Sequence, residues 1–242
     1  MLIQLIREGF DIFSVLIYIL SVLMIIFLIN PIHECAHGLA AYKLGDRTAK
    51  NMGRLTLNPL AHLDYMGAII MLIIGFGWAK PVPVNFNNFK KPRLGMFITA
   101  LAGPLSNLLA AVLGGLIVNT INTVMVKNGN YIYYDGELYY KLGYDPGFMK
   151  YVLMFLMFFI MINICLAVFN LLPIPPLDGS KILMSFLPNR IIYKISGYEM
   201  YISIALFVIV VSGAAANLLY PVQEWLYDGI LKLTALPFSW AW

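Results

Sequence analysis

His33-Glu34-Cys35-Ala36-His37 closes a long apolar run, and its reading decides what the rest of the chain has to supply. On a helix, residues four apart share a face, so His33 and His37 can reach a single metal ion. Glu34 between them can reach a water on that metal as a general base. His and Glu are costly in lipid and mark function where they occur there. An HExxH pattern alone arises often by chance. Here its weight comes from the apolar flanks and from a third ligand elsewhere in the chain. Cys35 points off the histidine face and is read as packing.

The composition is that of an integral membrane protein. The 242 residues are 61% hydrophobic and 12% charged, with a mean hydropathy of +0.80. Soluble domains carry about 45–50% apolar and about 25% charged residues. The formal charge of +4 is spread over loops, with no basic run suited to nucleic acid. Cys35 and Cys165 are the only cysteines and fall in apolar helices, so no disulfide is expected. Arg7 precedes an apolar stretch with no small-residue cleavage site after it, which predicts a retained membrane segment. One membrane-embedded domain over 1–242 is expected, with its core at 12–187 and a C-terminal helix and amphipathic tail at 199–242.

The predicted fold class is an all-α polytopic membrane protein. It has about four to five transmembrane helices, a re-entrant segment and a short β-like extended strand. Residues 1–11 are short and mixed, suggesting an interfacial helix. Ile12 to Ile29 is long enough to cross most of a bilayer. Asn30-Pro31 reads as a cap with proline in the first turn, so a kink or restart is expected before the metal motif. Gly95–Val126 with its Gly103-Pro104 interruption, Phe148–Leu172 and Glu199–Tyr220 are the other predicted spans. The tyrosines at 131, 133, 134, 139 and 140 read as an interfacial belt.

Tyr65–Gly77 is apolar but too short for a full span. If it crossed, the loop with Lys43, Arg47, Lys50 and Arg54 would lie opposite the loop with Lys80, Lys90, Lys91 and Arg93, against the positive-inside rule. If it enters and leaves on one side, both loops are cytoplasmic together with Lys181, Arg190 and Lys194. Only Arg7, Lys127, Lys141, Lys150 and Lys232 then lie outside. The re-entrant arrangement is preferred. It places the active site of a cell-membrane protein near the cytoplasmic face.

A catalytic zinc takes three protein ligands and keeps a position for water. Asp178 follows Pro173, Pro175 and Pro176, and precedes Gly179. Non-helical backbone at membrane depth survives only inside protein or along a wet cavity. In the preferred topology Asp178 returns to the face that holds His33 and His37. His62 is the competitor, in a polar loop where a histidine costs little. Asp178 is favoured, and His62 with Asp64 is expected to order that loop or support the site.

With these residues in place the chain resembles the site-2 proteases, which cut peptide bonds inside membranes. The resemblance rests on His33-Glu34-Cys35-Ala36-His37 and on Asn170 through Gly179, with Leu177-Asp178-Gly179 as second hallmark. Gly77-Trp78-Ala79-Lys80-Pro81-Val82-Pro83-Val84-Asn85 and Ala102-Gly103-Pro104-Leu105-Ser106-Asn107 look like further family segments. It covers roughly Ile12 to Leu187 and is nearest the minimal branch without a PDZ or CBS domain. It implies one zinc ion held by His33, His37 and Asp178, with Glu34 as the catalytic glutamate. It also implies that Asn107 and Asn170 contact substrate backbone or reaction oxygen. The expected partners are a membrane-protein or membrane-peptide substrate and the lipid bilayer, and the oligomeric state stays open.

Lys80–Asn85 alternates apolar residues with proline. It reads equally as an unpartnered loop or as an edge for an extended substrate strand. Thr99, Gly103 and Asn107 share a helix face, a spacing that usually serves close packing. The competing function is a membrane metal-binding protein or transporter using the same His-His-Asp site. Transporters show staggered ionisable residues or an internal repeat; this chain has one cluster and no repeat.

Overall fold

The computed structural model describes residues 12–74, 77–134, 137–140 and 145–241, with backbone only for 131–134, 137–140 and 240–241. The expected interfacial helix at 1–11 and the side chains of the expected tyrosine belt lie outside this description. Among the described residues, four helices are long and apolar enough to cross a membrane.

The first of the four is the unbroken helical run Ile12–Lys43. It comprises α1 (Ile12–Met24), a π-helical turn (Ile25–Ile29) and α2 (Asn30–Lys43). Asn30 does not cap a restarted helix. Its backbone is α-helical, its side chain caps nothing, and its N–H bonds to Ile25 O across the wider π turn. Pro31 lacks an N–H and crowds the carbonyl four residues earlier. One wider turn absorbs that mismatch without breaking the helix.

Short helices α3 (Thr48–Asn51) and α4 (Pro59–His62) follow, then α5 (Tyr65–Ile74). At 1.5 Å per residue, ten residues rise about 15 Å, half of a hydrocarbon core about 30 Å thick. The ends of this excursion meet, because Lys80 N–H donates to His62 O at 2.8 Å. Gly67 and Gly77 let the outgoing and returning backbones touch. A Cβ on Gly77 would stand 2.1 Å from Gly67 O. Residues 77–85 carry no regular secondary structure, so the short β-like strand expected at Lys80–Asn85 does not form.

Helix α6 (Pro92–Lys127) and helix α7 (Met149–Asn170) form the centre, with a two-stranded hairpin, β1 (Tyr131–Tyr134) and β2 (Glu137–Tyr140), between them. After the short helix α8 (Asp178–Met184) come α9 (Asn189–Val211) and α10 (Ala214–Ala235). The expected last span at 199–220 is corrected here. The helix stops at Val211, Gly213 adopts a left-handed φ of 79°, and the chain turns into α10. Apolar residues continue across the turn, so hydropathy alone ran the two helices together.

Both sides of α7 are packed. One side joins Ala111 and Val118 of α6 with Leu219 and Ile230 of α10, around Ile160 and Ile164. The other meets Tyr18, Val22 and Ile25 of the first span. Adjacent glycines give α6 its close approach to two neighbours: a Cβ on Gly114 would meet Ile160, and one on Gly115 would meet Thr234 of α10. Leu105, Leu109 and Leu113 of α6 are exposed on the opposite side, as a lipid-facing surface requires. Cys35 and Cys165 are unpaired.

Gly114→Val should overpack the α6–α7 contact, where an added Cβ already lies 2.8 Å from Ile160. The expected loss is about 1–3 kcal/mol. It should show as a lower thermal midpoint in detergent, with metal content of the folded protein unchanged.

Candidate active site

The two histidines of α2 and the first residue of α8 converge. His33 Nε2 and His37 Nε2 are 3.1 Å apart, and Asp178 Oδ2 lies 3.3 Å from the first and 3.1 Å from the second. All three side chains are buried. They are the group of His, Cys, Asp or Glu side chains among the described residues that could hold a metal ion.

The atoms behind the rings settle what faces the centre. His37 Nδ1–H donates to the Thr99 carbonyl at 2.6 Å, and His33 Nδ1–H donates to Asn107 Oδ1 at 2.5 Å. A carbonyl can only accept, so the ring proton is on Nδ1 and a neutral imidazole presents a bare lone pair at Nε2. Asp178 Oδ2 is likewise an acceptor. With both rings neutral, two imidazole lone pairs and a carboxylate oxygen converge on one point, an arrangement suited to holding a cation. Two imidazole nitrogens and one carboxylate oxygen match the donor set of a catalytic zinc site.

The supporting shell extends inward. Asn107 Nδ2 donates to Asn163 Oδ1 at 3.2 Å, and Asn163 Nδ2 donates to Phe159 O at 2.8 Å. Asn107 and Asn163 are fully enclosed, so a polar chain runs from His33 into α7. Gly103 brings α6 against both rings: a Cβ there would stand 2.3 Å from His37 Nε2 and 2.6 Å from His33 Nε2.

The proline-broken loop places Asp178. Turns close at Leu172 N to Phe169 O, Ile174 N to Leu172 O and Leu177 N to Ile174 O, and the Pro175–Pro176 bond is cis. A Cβ on Gly179 would lie 2.2 Å from Leu171 O. The Asp-Gly pair therefore permits α8 to start directly against the end of α7. Lys181, one turn on, brings Nζ to 3.4 Å from Asp178 Oδ1 and leaves Oδ2 to the cluster.

Glu34 opens onto a cavity of about 420 Å³ that His33, His37, Asp178, Asn170 and Lys181 also line. Its Oε2 accepts from the backbone N–H of Val82 at 2.7 Å. Among the described residues no protein donor reaches Oε1. Trp78, Pro81, Val82 and Val84 form the facing wall. Asn170 lies on the cavity. Asn107 does not line it, since both of its side-chain heteroatoms are taken up behind His33.

His62 stands apart from the cluster. Its Nε2–H donates to Thr56 O at 2.8 Å, and Asp64 Oδ1 accepts from Gly67 N at the start of α5. Both residues order the loop. Sequence reasoning missed Val82, whose contribution is a main-chain N–H that any residue except proline offers. The Thr99, Gly103 and Asn107 face was visible as a stripe. What it abuts, the backs and edges of two histidines, was not.

A helical membrane body enclosing two histidines, an aspartate and a neighbouring glutamate beside a cavity is the architecture of a membrane-embedded metallopeptidase. Peptidase family M50 matches residues 18–212, and the chain belongs to that family of site-2 protease-type zinc metalloproteases. It is 38% identical to YwhC of Bacillus subtilis over 93% of this chain and 94% of that protein. It is 30% identical to a Methanocaldococcus jannaschii protein over 78% of this chain and 83% of the relative. Against Rip2 of Mycolicibacterium smegmatis the identity is 25%, over 81% and 69%. All three bear the words zinc metalloprotease in their names. No solved structure matches the chain.

Asn107→Leu should cut the acceptor from His33 Nδ1 and lower zinc affinity about 10- to 100-fold. Gly103→Ala should be more severe, because its methyl group occupies the space beside both Nε2 atoms. Zinc per chain, measured on purified protein across a chelator series, checks both.

Proposed function

We propose that this chain hydrolyses peptide bonds in or beside the membrane-spanning segments of membrane proteins. It does so as one membrane-embedded domain with a single zinc held by His33, His37 and Asp178. The carrying observation is the convergence of His33, His37 and Asp178 ligand atoms beside Glu34 on the wall of a cavity within the helical body. Zinc bound there would lower the pKa of water toward about 7 and polarise the scissile carbonyl.

The chain's own residues do the rest. Glu34 takes the water proton on Oε1 while Val82 N–H holds Oε2, then passes the proton to the leaving amine. Asn170 is placed to donate to substrate backbone or to the developing oxyanion, since its amide faces the cavity without a partner among the described residues. Asn107 takes a positioning role behind His33 in place of the substrate contact that the resemblance implied. The cavity walls on either side of Glu34, Trp78–Val84 and Leu166–Asn170, limit water entry and leave room for an extended peptide.

The active site is assigned to the cytoplasmic side. The bond between Lys80 N and His62 O supports a re-entrant path for residues 65–77. That path puts the basic loops before and after it on one face, which the positive-inside rule makes cytoplasmic.

Glu34→Gln should keep its zinc and lose cleavage of a single-span substrate in proteoliposomes by about 10²- to 10⁴-fold. Undiminished cleavage by a zinc-loaded Glu34→Gln protein would overturn the mechanism.

A further inference from the structure

Asp46 is far less conspicuous in the sequence than the metal cluster, yet it is 1% exposed. It follows Gly45, whose φ of 113° turns the chain away from the end of α2. All its contacts are donors. Oδ1 accepts from Thr48 N at 3.0 Å, Thr48 Oγ1 at 2.5 Å and Asn88 Nδ2 at 2.7 Å. Oδ2 accepts from one group, the Asn85 backbone N–H, at 2.8 Å. Burial pushes the Asp46 carboxyl up, and these bonds more than offset it, holding the group below its ordinary range.

The other end of that contact matters to the site. Residues 77–85 belong to no helix or ladder, so point contacts must fix their position. Lys80 N–H reaches His62 O, and Arg54 Nη2 reaches Lys80 O and Pro81 O at 2.9 and 3.1 Å. Val82 N–H reaches Glu34 Oε2, and Asn85 N–H reaches Asp46 Oδ2. Pro81 and Pro83 flank Val82, which removes the neighbouring N–H groups and stiffens the path. A shift of the segment by one residue would thus present Glu34 with no donor at all. Asp46 holds the side of Val82 that the His62 and Arg54 contacts do not.

We propose that Asp46 is a positioning residue for peptide hydrolysis: by anchoring the Asn85 N–H it sets the segment so that Val82 N–H fixes the Glu34 carboxylate toward the cavity. This rests on the reading of Glu34 as the base. Asp46 touches neither substrate nor metal ligand and acts through the two intervening residues, Pro83 and Val84.

The asymmetry of the two oxygens supplies the test. In Asp46→Asn the amide oxygen can keep the three donors on the Oδ1 side. Its NH2 then faces the Asn85 N–H, so the turn stays satisfied and the segment is released. In zinc-loaded enzyme with a single-span substrate, kcat should fall at least about tenfold, as expected for misplaced catalytic groups. KM should stay within about twofold, and zinc content should not change. Amide exchange across 78–85 should rise.

The double variant Thr48→Val/Asn88→Ala removes both side-chain donors on Oδ1 but leaves the Thr48 N–H and the Asn85 contact, and should keep kcat near wild type. If Asp46→Asn does not accumulate as zinc-loaded protein, Asn85→Pro removes the single N–H on Oδ2 and takes the same measurements. An unchanged kcat per zinc in whichever variant is read overturns the proposal. So does a loss in Thr48→Val/Asn88→Ala as large as that in Asp46→Asn. A fully active Glu34→Gln control would instead overturn the reading of Glu34, independently of Asp46.

Discussion

His33 Nε2, His37 Nε2 and Asp178 Oδ2 converge in one buried space, and each is held there from behind. Thr99 O and Asn107 Oδ1 fix the two imidazole tautomers, and the proline-broken loop delivers the carboxylate. With the rings neutral, crowded acceptors in a low-dielectric interior repel one another, and the surrounding helices must then oppose that repulsion when no cation is bound. Much of the fold can be understood as the means of doing so. Helix α6 presses against the rings at Gly103, and α7 ties the asparagine chain to its own backbone at Phe159.

The same helices must also satisfy the bilayer. Helix α6 turns glycine, asparagine and alanine toward its neighbours and leucine toward lipid, the reverse of a soluble helix. With lipid on the outside, no hydrophobic drive separates an inner face from an outer one. Close backbone approach and buried amide bonds take over, which is why Gly114, Gly115, Asn119 and Asn163 sit at contacts. Helix α9 follows a different rule. It is the least enclosed of the four spans and meets the active-site region at Phe207, whose ring lies 6.5 Å from Trp78.

A good part of the site was legible in the chain. Residues at i and i+4 on a helix share a face whatever surrounds them, so His33 and His37 had to be neighbours. Proline and glycine restrict or free the backbone locally, which marked the break before Asp178. Apolar length gave the spans but not their ends. The continuation of apolar sequence through Gly213 hid a turn, and the π turn before Pro31 replaced the expected restart. Asn107 was legible as a polar residue on the right face, while its partner was not.

The sequence by itself determined the membrane class, the histidine pair, the glutamate between them and the aspartate after the prolines, because spacing, composition and backbone stereochemistry are local properties. Tertiary structure alone decided that Asp178 closes the cluster and His62 does not, since 141 residues separate His37 from its carboxylate. It also decided that Val82 N–H meets Glu34 and that Gly103 lies against both rings. Main-chain donors and missing Cβ atoms leave no chemical signature in a sequence. Their value comes entirely from what the fold brings within 3 Å of them.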